Sequence, residues 1–241
     1  MAFSITNRGS DGNTYSQSPS AVGDTFTPTE GNIIIVGVRQ SSNYFTSMAG
    51  WGITFVQINN TNVGGGILRT GIWAGIVGSS PGSDSLDITS SAANQWEVAI
   101  IELSGADTTG TAAGVFVQNQ TEGQISYGST TDFSCVTGGF TLAFDNANNG
   151  TLLWLLNAGV SDNTGTSTGG FTVYQTTTTP AQEHGEFQFA TSEVADPQFN
   201  PAIAYTDYAA TIMEIKLASA GGTPTGNPFN TPFNRPFGGP V

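Results

Sequence analysis

Charge is what this chain of 241 residues has least of. Only 10% of its residues are Asp, Glu, Lys or Arg, where an ordinary soluble domain carries about a quarter. Five residues are basic, and none of them lies between Arg69 and Lys216. With a net charge of −13 and no basic stripe, the chain has nothing with which to neutralise phosphates, which argues against a nucleic-acid partner. An anionic membrane surface would repel it too. A single cysteine, Cys135, excludes an intrachain disulfide framework. It sits in the apolar stretch Phe133 to Phe140, as a buried structural thiol would. With one histidine, His184, there is no paired-ligand spacing for zinc. No apolar run is long enough to span a membrane. Residues 1–10 lack a basic region followed by an apolar run, so no secretory signal is expected and folding is expected in the cytoplasm.

What fills the chain instead is neutral and polar: Gly, Ser, Thr, Asn and Gln. Such a surface suits close packing against other copies or a large assembly, because few charges have to be desolvated. Hydrophobic residues still make up 37% and aromatics 10%, ample for a core. Short apolar runs recur between turn-forming clusters: 32–39, 52–58, 67–77, 85–89, 95–103, 114–118, 140–144, 151–156, 171–175, 186–190 and 210–217. Their β-branched and aromatic content predicts strands. Ile33 to Val36 is apolar on both faces, which predicts a central strand. Met213, Ile215 and Leu217 are expected to point one way, with Glu214 and Lys216 the other. Phe140 to Phe144, the turn Asp145–Gly150 and Thr151 to Leu156 read as a hairpin. Ser161 to Gly170 and Thr176 to Thr179 read as exposed connections. No repeat of solenoid length is visible. The expected fold is an all-β antiparallel sandwich, jelly-roll-like, over residues 1–218.

Residues 219–241 differ. A Gly-rich linker leads into a unit in which Pro-Phe recurs every fourth residue, ending in Phe229, Phe233 and Phe237. The prolines prevent a helix or a regular strand. The three rings cannot form a core alone, so they are the expected anchors of an arm that docks on its own domain or on a neighbour.

Catalytic chemistry has little to stand on. There is no Gly-x-Ser-x-Gly elbow, and the lone His184 between acids reads as a surface polar residue. No catalytic, cofactor-binding or metal residue is assigned. Ser83 to Asp87 and Asp145 to Asn149 are oxygen-rich, and structural calcium is a weak expectation there, but neither matches an EF-hand loop. Trp51, Trp73, Trp96 and Trp154 all lie in or beside predicted strands, which makes them core. Tyr44 and Phe45, in a loop, are the better candidates for exposed binding aromatics.

The order Thr29-Glu30-Gly31-Asn32-Ile33-Ile34-Ile35-Val36, then Gly50-Trp51-Gly52-Ile53, Gly71-Ile72-Trp73 and Trp96-Glu97-Val98-Ala99-Ile100-Ile101-Glu102-Leu103, resembles jelly-roll or lectin-like β-sandwich modules of tailed-bacteriophage virion proteins. The resemblance covers about Ser20 to Gly105. It implies a virion location and a structural role, as a capsid decoration or cement protein and not an enzyme. The partners would be copies of itself, for instance in a trimer, and other virion proteins such as the major capsid protein. The alternative is a head-fibre or tail-fibre module that binds a host glycan.

Overall fold

A computed structural model describes residues 2–17, 22–40, 45–63, 68–91, 94–130, 133–134, 146–158, 166–168, 170–178, 183–192, 198–200 and 205–219. Its first half contains β1 (Ser4–Gln17), β2 (Val22–Phe26), β3 (Ile33–Gln40), β4 (Phe45–Ala49), β5 (Val56–Val63), β6 (Leu68–Ile76), β7 (Asp84–Ser90) and β8 (Asn94–Ser104). A short 3-10 turn, Ala112–Val115, precedes the second half. There follow β9 (Phe116–Thr130), β10 (Phe133–Ser134), β11 (Gly150–Ala158), β12 (Thr166–Thr168), β13 (Thr172–Thr178), β14 (Glu183–Ala190), β15 (Gln198–Asn200) and β16 (Tyr205–Ile215).

The halves are the same fold twice. The first forms a five-stranded sheet in the order β1-β8-β3-β6-β5 and a three-stranded sheet β2-β7-β4. The second forms β9-β16-β11-β14-β13 and β10-β15-β12, which is the first order repeated strand for strand. All pairings are antiparallel. Each half thus has the eight strands and two sheets of a jelly roll. Even a bulge recurs. Between β5 and β6 the register slips just past Trp73, and between β13 and β14 it slips just past Gln188. The expected antiparallel sandwich holds, but it is doubled.

Strand β3 is central and buried on both faces, as its continuous apolar run requires. Ile33 and Ile35, with Ile72 and Ile101, face Leu152, Trp154, Phe187, Met213 and Ile215 of the second half in one shared core. Ile34, Val36, Val98 and Ile100 face the other way, against Val22, Met48, Leu86 and Ile88 of the three-stranded sheet. In the second half, the face away from the shared core is buried as well, at Leu153, Leu155 and Ile212.

Trp154 fixes how the two large sheets meet. The register that puts Gly37 opposite Ile72 puts Trp154 opposite Phe187, so Gly37 and Trp154 are equivalent positions of the two halves. They also touch: a Cβ on Gly37 would come within 2.6 Å of the Trp154 ring and 2.8 Å of Phe187. A large residue in one repeat fills the space that a missing side chain leaves in the other.

The run 85–89 lies in strand β7 as expected, with Leu86 in the core, and Asp84 and Asp87 of the oxygen-rich stretch belong to the same strand. Two expected connections need correction. Thr176 to Thr178 belongs to edge strand β13, and Thr166–Thr168 to β12. Met213 and Ile215 enter the shared core and Glu214 does not, as the alternation predicts, yet Glu214 is buried too, because β16 lies between β11 and β9 and is covered on both faces. The hairpin partner Phe140 to Phe144 lies outside the described residues, although Thr151 to Leu156 is in β11 as expected.

Replacing Trp154 by Ala is expected to lower unfolding free energy by about 3–5 kcal/mol, by opening a cavity. Gly37→Ala is expected to cost about 1–3 kcal/mol by overpacking. Chemical denaturation of Gly37→Ala in a Trp154→Phe background should show part of that cost relieved. Strict additivity of the two changes would refute the pairing.

Candidate functional site

Two features stand out from the β framework: a pair of buried carboxylates and the seam where the halves end. Each repeat buries one glutamate at the matching position of its last strand. Glu102 of β8 accepts from the backbone N–H of Thr29 at 2.8 Å and from Asn32 Nδ2 at 2.6 Å, both on Oε1. Its Oε2 accepts from Arg8 Nε at 2.8 Å. Glu214 of β16 does the same. Its Oε1 accepts from the N–H of Asn146 at 3.4 Å and from Asn149 Nδ2 at 2.6 Å. Its Oε2 accepts from Gln118 Nε2 at 2.7 Å.

In both repeats the donors lie on a four-residue turn just before the central strand. The turn closes by Asn32 N–H to Thr29 O in one case and Asn149 N–H to Asn146 O in the other. Gly31, at φ 80°, provides the left-handed residue the first of these turns needs. The third donor comes from the first strand of the repeat. Each glutamate therefore ties three chain segments together. Burial alone would raise the Glu102 pKa, but donation from Thr29, Asn32 and Arg8 outweighs it and holds the carboxyl below the usual range.

The seam joins the ends of the repeats. Ala106 bridges Leu217, the Asp107 N–H donates to Lys216 O at 2.9 Å, and the Ala218 N–H donates to Gly105 O at 2.8 Å. Lys216 Nζ lies 2.8 Å from Asp107 Oδ2. That contact, with donation from Thr109, holds Asp107 down to about 2. Beside the seam is an open groove of about 840 Å³, lined by Ala2, Glu30, Asn32, Asp107, Thr108 and Ser219 among others. Ser219 is the last described residue, so the described chain ends in this groove.

The residues singled out in the sequence are scattered. Phe45 is not an exposed contact: it is 6% exposed and packs in the core of the first jelly roll with Met48, Trp51 and Trp73, because β4 turns it under the small sheet. Tyr44, Cys135, Phe229, Phe233 and Phe237 lie outside the described residues. His184 is in β14, in register with Asn157 and Thr178. All four tryptophans are buried. Asp84 serves structure, accepting from the N–H groups of Ser85 and Trp51. Asn146 Oδ1 accepts from the Asn148 N–H within its own turn. Among the described residues no group of three or more His, Cys, Asp and Glu could hold a metal ion, and no helix is long and apolar enough to cross a membrane.

The glutamate pins escaped the sequence reading, although a signal was present. Asn32 and Glu102 recur as Asn149 and Glu214, each Asn before a central strand and each Glu in a last one. No family model, curated protein or solved structure matches the chain.

Because the folded pKa of Glu102 is depressed, its contribution is complete above the unfolded value and is lost as pH falls through the folded value. Glu102→Gln is expected to cost about 1.5–3 kcal/mol at neutral pH, the range for a hydrogen-bonded charge. It should also flatten the fall of Tm between neutral pH and the acid range. A variant whose Tm falls with acid as steeply as the parent's would count against the pin.

Proposed function

We propose that this chain is a virion structural protein, a capsid decoration or cement protein that works as a homo-oligomer and attaches in part through its C-terminal arm. One observation carries the reading. The arm begins at the seam, where strand ends of both repeats are tied together and a long groove opens beside them. A tail rooted at such a rigid point reaches a neighbour at high effective concentration. The three phenylalanines of the arm supply the apolar contacts, and the scarcity of charge elsewhere lets copies approach with little desolvation.

The buried acids fit a structural role. Glu102 and Glu214 are spent on tying turns to strands. Arg39 and Glu97 face each other across β3 and β8 within the protein. There burial lowers the Arg39 pKa to about 10, with Glu97 opposing the shift.

Deleting residues 220–241 is expected to leave the melting transition of the double jelly roll in place and to lower oligomer size or particle attachment, measured by light scattering and co-sedimentation. Replacing Phe229, Phe233 and Phe237 together by Ser should act like the deletion. Unchanged oligomer size and attachment in both variants would rule out the arm's role.

A further inference from the structure

Asn149 is followed by Gly150, and no other Asn-Gly pair occurs in the chain. Such a pair is the most reactive setting for an asparagine, because glycine has no side chain to keep its backbone nitrogen from the Asn carboxamide. Folding closes this one. Asn149 is 3% exposed. Its Nδ2 donates to Glu214 Oε1 at 2.6 Å, and its Oδ1 accepts from the Leu217 N–H at 3.0 Å. Both ends of the carboxamide are therefore fixed. Gly150 is buried as the first residue of β11, in register with Ile215.

Neither residue is free to change. A Cβ on Gly150 would come within 2.5 Å of Phe189 Cζ and 3.0 Å of Phe3 Cε2, and these two rings meet edge to face with centroids 5.2 Å apart. An ionised aspartate at 149 would have no N–H for Glu214. Packing and hydrogen bonding together impose the reactive pair.

The first repeat builds the same pin without it. Asn32 Nδ2 donates to Glu102 Oε1 at 2.6 Å, but the next residue is Ile33, whose β-branched side chain shields its backbone nitrogen.

We propose that Asn149 is a self-modification site, shut while the second repeat is folded, at which deamidation makes the opening of that repeat irreversible. When the turn opens, the Gly150 nitrogen gives its proton to hydroxide and attacks Asn149 Cγ. The N–Cγ bond forms, the Cγ–Nδ2 bond breaks, and Nδ2 takes a proton from water and leaves as ammonia. Water then opens the resulting succinimide at either carbonyl, leaving aspartate or isoaspartate at 149. No other reactant is needed. Aspartate sets a second carboxyl group against Glu214 in a buried site, which like charge disfavours. Isoaspartate lengthens the backbone just ahead of Gly150, where Phe3 and Phe189 leave no room. Either product blocks the return to the folded state. This site goes beyond the assembly reading and does not involve the arm.

The test uses the full-length chain in mildly alkaline buffer, one sample folded and one unfolded in guanidinium chloride. Both are digested with pepsin in acid, since no Lys or Arg lies between Arg69 and Lys216 for trypsin to cut, and conversion of amide to acid is read by mass spectrometry. In guanidinium, Asn149 is expected to convert while Asn32 keeps its amide. In the folded chain Asn149 should convert at least about tenfold more slowly, because only the open fraction reacts. The aged unfolded sample is then diluted to refold and separated by size exclusion. The refolded pool should be depleted of chains converted at 149, and the aggregated pool enriched in them. The proposal fails if Asn149 keeps its amide in guanidinium, if it converts as fast in the folded chain, or if Asn32 keeps pace with it. It fails equally if the two pools hold the same converted fraction.

Discussion

Everything in this molecule hangs on two sheets being able to lie face to face, and that depends on the absence of a side chain at Gly37. A five-stranded sheet with both faces apolar cannot exist alone in water. Here each large sheet is covered by the other on the shared side, with Trp154 lodged against Gly37 and Phe187 beside it. The contact is unsymmetrical although the folds are alike. Two copies of the first repeat would leave a void at this point, and two copies of the second would drive one indole into another. Large against small at equivalent positions selects the pairing of unlike halves.

The glutamate pins solve a second problem of the same architecture. The chain must enter each central strand through a turn at the edge of the core, where backbone N–H groups would be buried without partners. A carboxylate on the neighbouring strand accepts from the turn and from its Asn. That a glutamate serves in both repeats, with Arg8 as the third donor in one and Gln118 in the other, indicates that the oxygen acceptors matter more than the ion pair.

The strand content was legible because apolar runs with β-branched residues leave few alternatives, and β3, β6, β8, β11 and β16 all fall on such runs. The tryptophans were legible as core for the same reason. Less visible were β1 and most of β9, in which polar residues dominate. Their backbone hydrogen bonds to β8 and β16 hold them in place, and side-chain patterning carries little of that information. The duplication was hidden because equivalent strands share geometry and not residues: Gly37 answers to Trp154, Trp73 to Gln188, Gly71 to Glu186. Phe45 misled because a bulky residue beside a loop reads as exposed until the sheet above it is known.

Strand β3 also connects two places of unlike character. Asn32, just before it, lines the groove into which the described chain ends, and Gln40, its last residue, donates to Ser90 Oγ of the small sheet. Eight extended residues put these about 25 Å apart. The described chain therefore ends at one pole of the first jelly roll, and any partner gripping it there leaves the opposite pole uncovered.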